Sequence, residues 1–77
     1  MATIAFVPGK ILVAFKEGTP ESTRKQILKG YLWQMSGSDI YKISVIEGAE
    51  MKMVEYFKSL SVVKFSEPLY VDTGSES

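Results

Sequence analysis

Lys10-Ile11-Leu12-Val13-Ala14-Phe15-Lys16, closed by Glu17-Gly18 and followed by Thr19-Pro20-Glu21, is the stretch that decides the fold. An apolar run rich in β-formers, preceded by the turn pair Pro8-Gly9 and ended by a second turn signal, predicts a strand. Successive side chains on a strand point to opposite faces, so Ile11, Val13 and Phe15 share one side while Leu12 and Ala14 share the other. Both sets are apolar, which predicts a central position in a sheet. The next three residues supply a helix start, with Thr19 as N-cap, Pro20 at the first helical position and Glu21 in the first turn.

Working outward, the helix is expected to reach about Lys29. Ile27, Leu28 and Tyr31 lie at helical spacing, and Gly30 is available as a left-handed cap. A second strand is expected over Tyr31 to Met35, then a turn at Ser36-Gly37-Ser38-Asp39. A third strand over Ile40 to Ile46 sets Tyr41, Ile43 and Val45 against Lys42 and Ser44. A second helix over Ala49 to Ser59 carries Met53, Val54 and Phe57 as an apolar stripe continued by Leu60. Val62 to Phe65 is expected as a short fourth strand ended by Glu67-Pro68, and Tyr70 to Ser77 as a mobile polar tail. The order β-α-β-β-α-β predicts an α+β, ferredoxin-like fold. In it, a four-stranded antiparallel sheet has strands 1 and 3 in the middle and both helices on one face. The other face is expected to carry Leu12, Ala14, Lys42, Ser44, Lys64 and Ser66.

Composition removes most other readings. The chain has 77 residues, 45% of them hydrophobic, with nine basic and nine acidic side chains and neither Cys nor His. A single domain of this size buries roughly 60% of its unfolded surface, a thin core. Without Cys or His the usual zinc, copper and iron–sulfur sites and the thiol or Ser–His nucleophiles are excluded, and no metal or cofactor is expected. A formal charge of zero gives no electrostatic case for nucleic acid or an anionic membrane. No targeting segment is read in the chain, and no run approaches the ~20 apolar residues of a membrane span.

Enzyme readings also fail. Glu21, Glu47, Glu50 and Glu55 sit at helix starts or on a solvent-facing helix side, where capping and solubility are their ordinary roles. Gly37 and Gly48 are isolated and form no phosphate loop. The only Arg, Arg24, lies inside the first helix rather than in the loop where an acylphosphatase would need it. For an RNA-binding module on this fold, Phe15 and Tyr41 have the wrong parity, being directed to the helices, and Trp33 on the edge strand reads as a packing residue.

Two blocks carry a more specific likeness. The segment Val7-Pro8-Gly9-Lys10-Ile11-Leu12-Val13-Ala14-Phe15-Lys16-Glu17-Gly18-Thr19 resembles the opening of the N-terminal propeptides of subtilisin-like serine proteases. Ser61-Val62-Val63-Lys64-Phe65-Ser66-Glu67-Pro68-Leu69-Tyr70-Val71 is similar to that family's closing block. The likeness spans residues 7–71, giving a propeptide-like domain over 1–71 and a flexible tail over 72–77. It implies a non-catalytic prodomain, an intramolecular chaperone and then an inhibitor of its protease, secreted as part of a protease precursor and monomeric when free. In that family the open sheet face docks on two parallel surface helices of the protease. Acids near the end of the last strand cap those helices, and the tail lies in the substrate cleft.

Carried onto this chain, the resemblance implies protease contacts at Glu67, Leu69, Tyr70, Val71 and Asp72, with Leu12, Ala14, Ser44 and Ser66 on the docking face. The chain departs from the pattern at Leu69, where the family commonly has Asn or Asp. It also departs over Val71 to Ser77, which lacks hydrophobic cleft anchors. A different class of function on the same fold is a regulatory or interaction domain that binds a small molecule or pairs in a homodimer.

Overall fold

A computed structural model describes residues 3–73 of the chain, with side chains described over 7–70. The elements are β1 (Thr3–Phe15), α1 (Glu21–Leu28), β2 (Trp33–Met35), β3 (Ile40–Ser44), α2 (Glu50–Lys58) and β4 (Val63–Thr73). One antiparallel sheet has the order β2-β3-β1-β4, so β1 and β3 are central. This is the expected β-α-β-β-α-β, ferredoxin-like α+β arrangement.

The apolar parity of β1 places the core. Ile11, Val13 and Phe15 are fully buried and pack with Tyr41 and Ile43 of β3, Val63 of β4, Leu28 of α1, and Val54 and Phe57 of α2. Both helices therefore cover the same face. Each such side chain contributes about 1.5–3 kcal/mol by leaving water. The rings of Phe15 and Tyr41 meet edge to face at 5.4 Å, so both are core residues as their parity requires.

Besides β2 starting at Trp33 rather than Tyr31 and β3 ending at Ser44 rather than Ile46, three boundaries differ from the sequence reading. The first helix begins one residue later than expected, with Pro20 rather than Thr19 at the N-cap. The Thr19 hydroxyl instead donates to the Lys16 carbonyl at 2.6 Å, closing the turn before the helix. Gly30 does adopt the left-handed conformation, at φ +89°. Second, β1 does not start after Pro8-Gly9 but continues through it. Thr3 to Phe6 pair with Tyr70 to Thr73, and the register shift between Phe6 and Ile11 absorbs the Pro-Gly pair as a bulge. Third, β4 does not stop at Glu67-Pro68. Proline is tolerated because β4 is an edge strand, where a missing N–H need not break a ladder on both sides. Residues 70–73, read as tail, are thus paired strand, and 74–77 lie outside the described residues.

Two polar ties fix the ends of the helices. The Arg24 guanidinium donates to Asp39 Oδ1 at 2.7 Å and to the Thr19 carbonyl at 3.0 Å, and lies 5.6 Å from the Phe15 ring centre. The Asp39 carboxylate holds the Arg24 pKa above its already high ordinary value. Arg24 thereby joins the start of α1 to the β2–β3 turn, a structural role. At the other end, Glu50 Oε2 accepts the Gly9 N–H at 2.8 Å and Oε1 accepts the Gly48 N–H at 2.9 Å. Gly9 returns its carbonyl to the Val45 N–H at 2.8 Å. Its φ of +75° and the Val45 oxygen 3.2 Å from where a Cβ would stand both require glycine there.

Candidate docking face

With both helices on one side, the opposite face of the sheet has no second layer among the described residues. Its composition follows from register. Lys42 of β3, Leu12 of β1 and Glu67 of β4 form one row, with Gln34 of β2 beside Lys42. Ile40, Ala14 and Phe65 form the next row toward one end of the strands, and Ser44 and Lys10 the next toward the other. Ala14 is only 2% exposed although no helix covers it, because this short side chain lies between Ile40 and Phe65. Phe65 is 36% exposed and Leu12 half-buried, so the centre of the face is an apolar stripe. A depression of about 320 Å³ lined by Ala14, Ile40, Phe65 and Lys64, among others, continues the stripe to the end of the sheet.

The parity of β4 corrects the sequence reading. Simple alternation from Val63 puts Lys64 and Ser66 on the open face. Val63 pairs with Phe15 but Phe65 pairs with Ala14, so one residue, Lys64, is extra on β4. A bulge of this kind reverses the facing of every residue beyond it. Ser66 consequently lies opposite Val13, on the helix side, where it is 5% exposed and its hydroxyl has no hydrogen-bond partner among the described residues. The candidate contact Ser66 is therefore not on the docking face. Phe65, which sequence parity directs inward, takes that place, and the same reversal turns Glu67 outward.

The remaining candidates are distributed as follows. Leu12, Ala14 and Ser44 are on the open face as read, and Glu67 is exposed in the Leu12 row. Leu69 follows Glu67 by two residues and is half-buried, while Tyr70 is 49% exposed and opposite Phe6. Val71 and Asp72 pair through their backbones with Ala5 and Ile4, and their side chains lie outside the described residues. Trp33 packs edge to face on Tyr41 at 5.2 Å and is 41% exposed, a partly buried packing residue. The exposed acids Glu21 and Glu55 pair with Lys25 and Lys58 on their own helices, contacts of little energetic weight. No helix of the described residues is long and apolar enough to cross a membrane.

Fold and face together define a small α+β ferredoxin-like domain whose sheet has one face uncovered among the described residues. Comparison of the chain with protein-family models, with curated proteins and with solved structures returns no match.

Proposed function

We propose that the chain is a propeptide-like inhibitor and folding assistant of a subtilisin-like serine protease, acting by docking its open sheet face on the protease surface. The observation that carries this reading is the bulge at Lys64. It brings Phe65 and Glu67 onto the same face as Leu12 and Ala14, joining an apolar stripe to an exposed carboxylate. An apolar centre flanked by charge is the composition of a protein interface, and the stripe gains its burial when a partner covers it. A carboxylate at the edge of that stripe suits the N-terminus of a partner helix, whose free N–H groups and positive dipole end favour an anion by about 0.3–2 kcal/mol.

The C-terminal segment fits a strand-addition role in a way the sequence reading did not foresee. The backbone of residues 71–73 is already extended and held on one side by Thr3 to Ala5, and β4 is an edge strand among the described residues, a place where a protease strand can add. Catalysis is no part of this proposal.

The test is a titration of the chain into a subtilisin while peptide hydrolysis is followed, with Glu67→Ala alongside. Hydrolysis should slow at micromolar concentrations of the chain, and Glu67→Ala should weaken inhibition about two- to thirtyfold with an unchanged circular dichroism spectrum. Undiminished hydrolysis refutes the inhibitory role, and an unaltered Glu67→Ala titration refutes helix capping.

A further inference from the structure

The open face carries a second feature that the apolar stripe does not use. Beside the stripe, toward β2, a depression of about 340 Å³ is lined by Lys10, Leu32, Trp33, Gln34, Lys42 and Ser44. Every polar side chain in that set can donate a hydrogen bond, and none is acidic. Lys10 Nζ donates to Ser44 Oγ at 2.6 Å, which leaves the Ser44 O–H free to donate in turn. Lys42 is half-buried and has neither a hydrogen bond nor an ion pair among the described residues. Glu67, in the same row, stands two strands away across Leu12 and forms no ion pair with Lys42. Asp39 is engaged by Arg24.

Two lysines, one serine and one glutamine therefore line one hollow, and neither lysine has an ion pair among the described residues. We infer that this hollow is a carboxylate-binding site, and that its occupant is an acidic side chain of the protein covering the open face. The occupant, though not the site, rests on the docking reading above. The chemistry is that of a charge-assisted clamp. Lys10 and Lys42 supply the charge, and Ser44 and Gln34 supply neutral donors that fix the orientation of a planar two-oxygen acceptor. Leu32, two residues before Gln34 and on the same side of the strand, gives the hollow an apolar edge, while the Trp33 ring packs on Tyr41 on the helix side. Opposite signs are thus set at two places on one face, an acid at Glu67 on β4 and bases at Lys10 and Lys42 on β1 and β3. A partner must match both, which fixes its orientation as well as its affinity.

Two measurements decide it. In the first, acetate is titrated into the 77-residue chain against sodium chloride at equal ionic strength, followed by amide and lysine side-chain NMR shifts. Saturable shifts confined to Lys10, Gln34, Lys42 and Ser44, and lost in Lys42→Gln, are expected. Shifts spread evenly over the lysines, or none, overturn the site.

In the second, the affinity of Lys42→Gln for an active-site-blocked subtilisin is compared with that of Lys52→Gln, an exposed lysine on α2. Lys42→Gln should bind about tenfold more weakly, with a shallower salt dependence, and Lys52→Gln should bind as the parent does. Equal affinities overturn the proposed occupant. If the parent chain binds no subtilisin, the docking reading and its occupant fail together, while the acetate titration still decides the site.

Discussion

Replacing Ser66 by alanine isolates the bulge in β4. Ser66 is 5% exposed on the helix side of the sheet, opposite Val13, and its hydroxyl lacks a partner among the described residues. A buried, unsatisfied hydroxyl costs about 1–3 kcal/mol in lost hydration. Ser66→Ala removes that cost, breaks no hydrogen bond, and leaves a void of a single oxygen atom. Against it stands only the small difference in strand preference between serine and alanine, a few tenths of a kcal/mol on a scale that spans ~1.

The net expectation is a gain of about 1 kcal/mol, which for a domain of this size raises the thermal midpoint by roughly 4–8 °C. Unbroken alternation from Val63 instead places Ser66 in solvent, where the same change is worth less than ~0.5 kcal/mol. Thermal and urea unfolding of the two chains, followed by circular dichroism, separate these cases. A midpoint that is unchanged or lowered refutes the buried, unpartnered hydroxyl and with it the reversed facing of Phe65 and Glu67.

Other consequences follow from the same geometry. Phe65 is 36% exposed, which for a phenylalanine of about 200 Å² leaves about 70 Å² for a partner to cover, or about 1.8 kcal/mol. Phe65→Ala should therefore bind a subtilisin roughly twentyfold more weakly by inhibition titration once compared at equal folded fraction, and equal affinity excludes Phe65 from the interface. The Gly9 N–H, with Glu50's own amide and Gly48 adding to it, lowers the Glu50 pKa from its ordinary 4.5. A depressed folded-state pKa gives stability that is fully present above the unfolded value and is lost as pH falls through the folded one. Urea midpoints of the parent should accordingly drop more steeply than those of Glu50→Gln as pH falls from about 4.5, with the parent the more stable at neutral pH. Parallel curves would remove Glu50 as the link between the Pro8-Gly9 bulge and α2.

The sequence makes the order of elements legible because its strongest signals are local. The two-faced apolar run from Ile11 to Phe15 marks a central strand, and Val54 and Phe57 mark the buried stripe of α2, as found. Leu12, Ala14 and Ser44 reach the open face because β1 and β3 pair there without a break from Lys10 to Ala14.

What alternation could not reveal is the insertion of one residue. Lys64 looks like any outward strand lysine, and only its two neighbours' partners, Phe15 and Ala14, disclose that it is extra. Pro68 reads as a stop because a proline usually ends a ladder, yet an edge strand has a side on which no donor is needed. The pairing of Thr3 to Phe6 with Tyr70 to Thr73 joins opposite ends of the chain, and neither segment carries a local signal of the other. The hollow at Lys10 and Lys42 likewise arises from register between strands far apart in sequence.

The central claim is that a subtilisin-like protease covers the sheet face opposite the helices. Amide hydrogen exchange of the chain, alone and with an active-site-blocked subtilisin, tests it most directly. The account predicts added protection along β1, β3 and β4, at Leu12, Ala14, Lys42, Phe65 and Glu67, with the amides of α1 and α2 unchanged. Protection confined to the helices, or none at saturating protease, contradicts it.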